Sequence, residues 1–211
     1  MKFFEATHHF NHSWAQVTAA NWMKYPNERC PHVIAVDVLD RHVDPETGIL
    51  HTERLLTCNQ NAPALVLKFL GGSTLSYVRE TSELDPKTRK LTMKTQNLTM
   101  CNVLKINETV TYSPNPQNEL STVFKQEAKI TAGSALSRFS SYIEDFCLTR
   151  FRDNAAVGRA GFELVLEKLK EARIEATTQL ENAATAATTQ LEHAATAATT
   201  AAASAAVAAT L

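Results

Sequence analysis

Apolar and polar residues alternate with a period of two through most of the first two thirds of the chain. This period is typical of half-buried strands. The alternating runs lie at residues 2–10, 33–43, 49–57, 73–84, 90–100, 103–113 and 120–132. Residues that favour turns, chiefly Pro, Asp, Asn and Gly, lie at 44–48, 85–87 and 114–118, where they would connect neighbouring strands into hairpins. The pattern therefore predicts a meander of seven antiparallel strands.

Two segments show the helical period instead. Ser13 followed by Gln16 is a capping-box pattern, and it predicts a short helix over residues 13–25 that Pro26 ends. Over residues 134–174 apolar side chains recur every three or four positions, which predicts a long helix. We expect that helix to lie across the concave face of the sheet. The predicted fold class is α+β, a seven-stranded antiparallel β-sheet curled around a long C-terminal α-helix.

The end of the chain differs in composition and carries an internal repeat. Residues 176–186 read ATTQLENAATA, and residues 187–197 read ATTQLEHAATA. Eleven residues make three turns at about 3.67 residues per turn, so the repeat stays on one helical face. Its leucines are too sparse for a stable coiled coil. We therefore predict a folded domain over 1–174 and an Ala/Thr-rich helical or disordered tail over 175–211.

Composition and charge exclude several classes of function. The 211 residues include 21 Lys and Arg against 22 Asp and Glu, which gives a net charge of -1. A nucleic-acid binder would show a basic face, so we expect no nucleic-acid partner. The four cysteines form no C-x-x-C pair, which favours free thiols over a zinc or redox site. The first residues lack the apolar core of a secretory signal, and no segment is apolar enough to span a membrane.

The sequence contains no recognisable catalytic arrangement. A nucleophile elbow, a phosphate loop and a paired-carboxylate signature are all missing. Glu144 and Asp145 are adjacent on the predicted helix and diverge by about 100°, so a solvated or capping role is favoured over an acid pair. His8, His9 and His12 lack the further ligands of a metal site, and we interpret them as surface residues. We predict that the chain is not an enzyme and needs no cofactor and no metal.

The segment over residues 59–72, NQNAPALVLKFLGG, interrupts the strand pattern. Its apolar run would lower solubility if it were simply exposed. It is either a short buried helix or a lid that covers a cavity and contacts a membrane, with the two glycines as a hinge. The residues of the lid interpretation are Ala64, Leu65, Val66, Leu67, Phe69, Leu70, Gly71 and Gly72.

Several polar residues lie within otherwise apolar predicted elements. Arg54 is in the middle of a strand, where a charge that faces inward is costly unless it is paired. His32 precedes the neighbouring strand, and Arg150 and Asn154 lie on the long helix. These residues either make surface salt bridges or form a cationic group at the end of an apolar cavity. In the second case the guanidinium fork would fit a phosphate group.

A set of short motifs occurs in order along the chain. They are KYPN at 24–27, PHV at 31–33, VDVLDR at 36–41, TERLL at 52–56, NLTMCN at 97–102, ETVTYSP at 108–114, QEA at 126–128 and EDF at 144–146. In type and spacing these motifs resemble the PRELI/slowmo family of lipid carriers of the mitochondrial intermembrane space. The resemblance covers about residues 1–172 and leaves out the tail repeat. It is strongest to the slowmo branch and its fungal counterpart.

The resemblance implies a sheet curled around the C-terminal helix, with a lid loop over a lipid cavity. It implies non-enzymatic transfer of an anionic glycerophospholipid between the outer and inner mitochondrial membranes, with transient contact to each membrane. It also implies a heterodimer with a small helical-hairpin protein that carries twin Cys-x9-Cys motifs. The head-group residues that carry over from the family are Lys24, His32, Arg54, Arg150 and Asn154.

The identity of the lipid is open at this point. The family often has lysines where this chain has Cys58, Asn61 and Val157, and fewer cations suit a less charged head group. The resemblance therefore favours phosphatidylserine over phosphatidic acid. Two other functions are alternatives. One is a protein-interaction adaptor without bound lipid, and the other is an enzyme that uses the same cavity, for which no base or nucleophile has suitable spacing.

Overall fold

The computed structural model describes residues 1–59, 74–133 and 140–208. These residues contain one antiparallel sheet of seven strands, which confirms the predicted sheet. In chain order the strands are β1 (Lys2–Phe10), β2 (Val33–Val43), β3 (Leu50–Asn59), β4 (Leu75–Asp85), β5 (Lys90–Asn97), β6 (Leu104–Asn115) and β7 (Asn118–Ala132). In space their order is β1-β7-β6-β5-β4-β3-β2, so the meander runs from β2 to β7 and β1 pairs with β7.

A short helix, α1 (Trp14–Asn21), connects the two edge strands. The predicted capping box is present, because the Gln16 amide donates to the Ser13 hydroxyl at 3.4 Å and the Ser13 amide donates to the Gln16 side chain at 3.0 Å. The helix ends earlier than the sequence pattern predicted. After Asn21 the amides of Trp22, Met23 and Lys24 donate to carbonyls three residues earlier, so the α-helical hydrogen-bond pattern ends there. The Asn27 side chain then donates to the Lys24 carbonyl at 2.6 Å.

Contacts within the chain divide it into two compact units, Met1–Leu166 and Glu167–Leu211. The first unit contains the sheet, α1 and the first turns of a long helix, α2 (Ser140–Ala208). Helix α2 confirms the predicted long C-terminal helix. The predicted domain limits, 1–174 and 175–211, stay predictions.

The second unit consists of the later turns of α2, which include the repeat. Threonines of the repeat donate their hydroxyl hydrogen bonds to the carbonyl four residues earlier, as Thr185 and Thr196 do at 2.9 Å. These hydroxyls are therefore satisfied within the helix itself. No helix in the described ranges is both long enough and apolar enough to cross a membrane.

Within the first unit, side chains of α2 pack on one face of the sheet, which we call the inner face. The Phe162 ring centroid lies 5.4 Å from that of Phe10 on β1 and 6.2 Å from that of Tyr112 on β6. The ring centroids of Phe10 and Phe124 on β7 are 5.9 Å apart, and all four rings are buried. Edge-to-face aromatic pairs of this kind stabilise a core beyond simple area burial. This aromatic cluster therefore anchors α2 to the sheet.

Ion pairs hold the same helix along edge strand β1. Lys2 pairs with Asp145 at 2.9 Å, and His8 contacts Glu163 at 2.8 Å. Glu144 is only 4% exposed and accepts a hydrogen bond from the last amide of β7 at 2.9 Å. The solvated role predicted for Glu144 is therefore wrong, because its carboxylate joins the helix to the sheet. His8 is half-buried in its contact rather than free on the surface.

Gly133 follows β7 and lies directly against the backbone of the turn before β6. A Cβ atom at this position would stand 2.0 Å from the Asn102 carbonyl oxygen, and the Gly133 amide donates to the Val103 carbonyl at 2.7 Å. No side chain fits there without moving the backbone. Gly158 on α2 is different, since a Cβ atom there would have nothing within 4 Å.

We expect Gly133→Ala to lower the free energy of unfolding by about 1–3 kcal/mol, the usual cost of forcing an atom into a filled space. Gly158→Ala is the matched control, and it should raise stability by about 0.5–1 kcal/mol because alanine is the better helix former. Urea unfolding of the wild type and both variants measures the two effects. Equal stability of the wild type and Gly133→Ala would contradict the close approach.

Candidate functional site

Four side chains form a line across the inner face, which we call the polar row. Arg54 of β3 lies opposite Glu80 of β4, Glu80 opposite Thr95 of β5, and Thr95 opposite Glu108 of β6. Directly opposed residues share one face of a sheet, and strands are about 4.8 Å apart, so the row spans roughly 14 Å. The flanking residues on this face are mainly apolar. They include Leu56 and Val78 on one side and Leu91, Met93 and Tyr112 on the other, but Thr52, Ser82 and Asn97 on the same face are polar.

Arg54 and Glu80 form a buried ion pair at one end of the polar row. The Arg54 Nε donates to Glu80 Oε1 at 2.7 Å, and each residue is 4% exposed. A buried charge is strongly destabilising unless it is paired, and Glu80 supplies the counter-ion for Arg54. Burial raises the pKa of Glu80, and the nearby charges of Arg54 and Lys24 oppose this rise.

One nitrogen of the Arg54 guanidinium, Nη2, lacks a well-directed hydrogen-bond acceptor in the described residues. This nitrogen is buried and touches the same Glu80 oxygen. The guanidinium carbon lies 5.2 Å from the Trp22 ring centre, and that of Arg41 lies 4.6 Å from it. Cation–π contacts of this kind hold a guanidinium in place without using its N–H donors. Arg54 therefore keeps donor capacity at this end of the row.

Lys24 brings a further cation to the inner face. Its ammonium lies 5.2 Å from the Tyr25 ring centre and 5.7 Å from the Phe162 ring centre. Burial lowers the pKa of Lys24, but Tyr25, Tyr112 and the carboxylates of the polar row outweigh burial and hold the pKa above its ordinary value. Within the described residues the half-buried Lys24 makes no salt bridge. The ammonium is therefore charged, partly desolvated and without an ion-pair partner in that part of the chain.

Glu108 occupies the other end of the polar row. Its half-buried carboxylate accepts hydrogen bonds from the Thr95 hydroxyl at 2.8 Å and from the Gln126 side-chain amide. The Gln126 oxygen in turn accepts from Arg159 Nη1 at 3.2 Å, which links α2 to the row. Both donors to Glu108 are neutral, and no salt bridge to it forms among the described residues.

The turn after α1 determines where Lys24 lies. Asn27 Oδ1 accepts from the amides of Arg29 and Cys30 at 3.0 and 2.9 Å, while its Nδ2 donates to the Lys24 carbonyl. Gly161 of α2 lies against this turn, since a Cβ atom there would be 3.0 Å from Asn27 Oδ1 and from Arg29 Cβ. The missing side chain therefore lets the turn approach α2 closely, and Lys24 is held above the inner face.

Two of the five predicted head-group residues come together in this cluster. Arg54 donates to Glu80, and the Lys24 charge acts on the same carboxylate. Arg54 is buried and paired, as the sequence analysis required of a mid-strand charge that faces inward. Their assignment to a lipid head group stays a prediction.

The other three predicted residues lie apart from the polar row. His32 is half-buried at the end of the β2–β3 hairpin, and this burial lowers its pKa. Arg150 and Asn154 are exposed on α2. The predicted lid residues, within 64–72, lie outside the described residues. The binding roles of all these residues stay predictions.

Sequence reasoning missed most partners in the cluster. The missed residues are Trp22, Glu80, Thr95, Glu108, Gln126 and Arg159. One of them carried a usable signal, because Arg159 comes four residues after Ala155 and three before Phe162, on the apolar stripe of the helix. A cation in that stripe indicates a polar contact in the interior. The acidic partners gave no such signal, since their pairing depends on strand register.

Other candidate sites contribute no further chemistry. Among the described residues, no three His, Cys, Asp or Glu side chains are placed to hold a metal ion. His12, interpreted from the sequence as a surface residue, is buried, and its carbonyl accepts from the Thr122 hydroxyl at 2.8 Å. The segment that follows β1 turns inward at this point. All four cysteines are free thiols.

Comparison with known proteins identifies several similar chains. A family model described as the PRELI-like family matches residues 15–172. The protein UPS2, mitochondrial, of Saccharomyces cerevisiae is 48% identical over 172 residues, covering 81% of this chain and 75% of its own. A UPS-like protein of Schizosaccharomyces pombe is 50% identical over 169 residues, covering 80% and 91%. The slowmo homolog of Dictyostelium discoideum is 34% identical over 182 residues, covering 86% and 78%.

A solved structure resembles the fold alone. The Zhui aromatase/cyclase from a Streptomyces species has a TM-score of 0.55 and 10% sequence identity, over 79% of this chain and 94% of that one. At this identity the likeness concerns the fold and not the chemistry of a site.

We expect Glu80→Leu to lower the free energy of unfolding by about 3–5 kcal/mol, because it leaves the Arg54 guanidinium buried without a counter-ion. The double variant Arg54→Met/Glu80→Leu removes both charges and should recover most of that loss. Chemical denaturation of the two variants and the wild type measures the coupling. If the double variant were less stable than Glu80→Leu, the ion pair would not be the source of the effect.

Proposed function

The chain belongs to the PRELI-like family, and we propose that it transfers an anionic glycerophospholipid between the outer and inner mitochondrial membranes without altering it chemically. Membership of the family supports a lipid-binding or lipid-transfer role. The observation that carries the proposal is Lys24, a half-buried ammonium on a largely apolar face, without an ion-pair partner in the described residues. A lipid phosphate would supply that partner.

Arg54 and its apolar surroundings support the same function. The buried Nη2 group lacks a well-directed acceptor, and a guanidinium fork suits phosphate oxygens. The apolar residues that flank the polar row offer a surface for acyl chains, and each buried CH2 group contributes about 0.8 kcal/mol. In this proposal the lid predicted within residues 59–72 opens the route for those chains at a membrane surface.

The balance of charge favours phosphatidylserine over phosphatidic acid. Lys24, Arg54 and Arg159 bring three positive charges to the polar row, and Glu80 and Glu108 bring two carboxylates. A head group with charges of both signs suits such a mixed site better than a bare phosphate does. Phosphatidic acid is the alternative cargo.

We place this activity in the intermembrane space, in a heterodimer with a small twin Cys-x9-Cys helical-hairpin protein. The mitochondrial relative supports the organelle, and the family resemblance supports the compartment and the partner. Edge strand β2 also exposes apolar residues, including Val38 and Leu39, which are 53% and 57% exposed and favour contact with another protein. The same surface suits the alternative function, an adaptor without bound lipid.

Lipid analysis separates the carrier from the adaptor. The full-length chain is co-expressed with the hairpin partner, and lipids extracted from the purified complex are identified by mass spectrometry. A bound glycerophospholipid, together with its transfer between donor and acceptor liposomes, is the expected result. A complex without lipid and without transfer would favour the adaptor.

We expect the double variant Arg54→Met/Glu80→Leu to remain folded and to lose most liposome-to-liposome transfer, since the phosphate then loses its guanidinium. The double variant is a better test than Arg54→Glu, which would set a second carboxylate against Glu80 and lower stability. Transfer at the wild-type rate by the folded double variant would contradict the role of Arg54 in head-group binding.

We expect Lys24→Met to separate stability from activity. Methionine keeps the length and apolar body of the side chain and removes a desolvated charge, so the melting temperature should hold or rise. Transfer of an anionic lipid should fall about tenfold, the value of one charge-assisted contact. Lys129→Met, on an exposed position of β7, is the matched control and should transfer at the wild-type rate. Unchanged transfer by Lys24→Met would contradict the proposed role of Lys24 in binding the lipid phosphate.

A further inference from the structure

Glu108 is an acidic group in a place that an anionic ligand alone does not explain. It lies on the inner face in the same row as Arg54, and its carboxylate is half-buried. A carboxylate near a bound phosphate repels it, and the repulsion is stronger where water is partly excluded. A neutral residue in place of Glu108 would therefore bind a phosphate group more favourably.

The hydrogen bonds of Glu108 orient its carboxylate without neutralising it. Thr95 and Gln126 are both neutral donors, and they occupy two of about four lone-pair sites. Arg159 reaches Gln126 and not the carboxylate itself. Lys24 acts on Glu108 from beyond salt-bridge distance. Among the described residues, the carboxylate is thus held in position by two neutral donors and makes no salt bridge.

We propose that Glu108 binds the ammonium group of an aminophospholipid head group and thereby selects such lipids over phosphatidic acid. This inference rests on the proposed function and names the residue that sets its specificity. The phosphate lies at the Arg54 end and the ammonium lies at the Glu108 end, while the charge of Lys24 acts on both carboxylates of the row. Thr95, between the two ends of the row, is neutral and repels neither group.

Serine and ethanolamine head groups share the ammonium that Glu108 would bind. The serine head group adds a carboxylate, which suits a site with more cations than carboxylates. We therefore expect phosphatidylserine to be transferred faster than phosphatidylethanolamine, and both to depend on Glu108. Phosphatidic acid, which carries no ammonium, should not depend on it in the same way.

The test compares these three lipids, each assayed separately in liposome transfer with the full-length chain in its complex. Glu108→Gln keeps the size of the side chain while it removes the charge and replaces one acceptor oxygen with an NH2 donor. We expect the ratio of phosphatidylserine to phosphatidic acid transfer to fall about tenfold, the effect of losing one charged hydrogen bond. Glu127→Gln, on the exposed side of β7, is the control and should keep the wild-type ratio.

A second measurement leaves the protein unchanged. Phosphatidylserine with an acylated amine keeps its phosphate and carboxylate but has no ammonium. The wild type should transfer it about tenfold more slowly than phosphatidylserine, and Glu108→Asp, which keeps the charge, should retain part of that preference.

The outcomes distinguish this inference from the function on which it depends. An unchanged lipid ratio in folded Glu108→Gln, an equal fall for all three lipids, or no discrimination against the acylated lipid by the wild type would each overturn the role of Glu108. If the wild type transferred none of these lipids, the proposed function would fail as well.

Discussion

Burial of the Arg54 guanidinium is the constraint on which the inner face depends. The group cannot give up its proton in a protein interior, so the fold has to supply a counter-ion. The register of β3 against β4 supplies it by setting Glu80 directly opposite. A slip of one residue in this register would place Arg54 and Glu80 on opposite faces of the sheet. The ion pair and the strand register therefore support each other, and the registers of β4, β5 and β6 extend the row to Glu108.

The inner face combines a buried aromatic cluster with a row of charged and polar side chains. At one end, Phe10, Tyr112 and Phe162 pack together and hold α2 to the sheet. A few residues further along the same strands, charged side chains replace the aromatic rings. Stability gained in the aromatic cluster offsets the cost of burying charged side chains on the same face.

The period-two pattern was sufficient to predict the seven strands, and the helical period was sufficient for α2, because both reflect which face of an element is buried. Arg54 could also be recognised, since a charge in mid-strand needs an explanation within the strand itself. Its partner Glu80 could not, because opposition across strands depends on how hairpins close. The early end of α1 was also missed, because the backbone hydrogen bonds change to turns directly after Asn21, well before Pro26. The burial of His12 and Glu144 likewise follows from tertiary packing alone.

The position of β1 has a consequence for how the molecule forms. Strands β2 to β7 are joined by local hairpins, but Lys2 pairs with Ile130, so β1 joins the sheet across almost the full length of the domain. Closing so large a loop is entropically slow compared with making a hairpin. Strand β1 can therefore join the sheet only after β7 has formed. Until then β7 is an unpaired edge strand, whose free backbone groups can pair with another polypeptide. The formation of the β1–β7 pair is therefore the step that removes this edge.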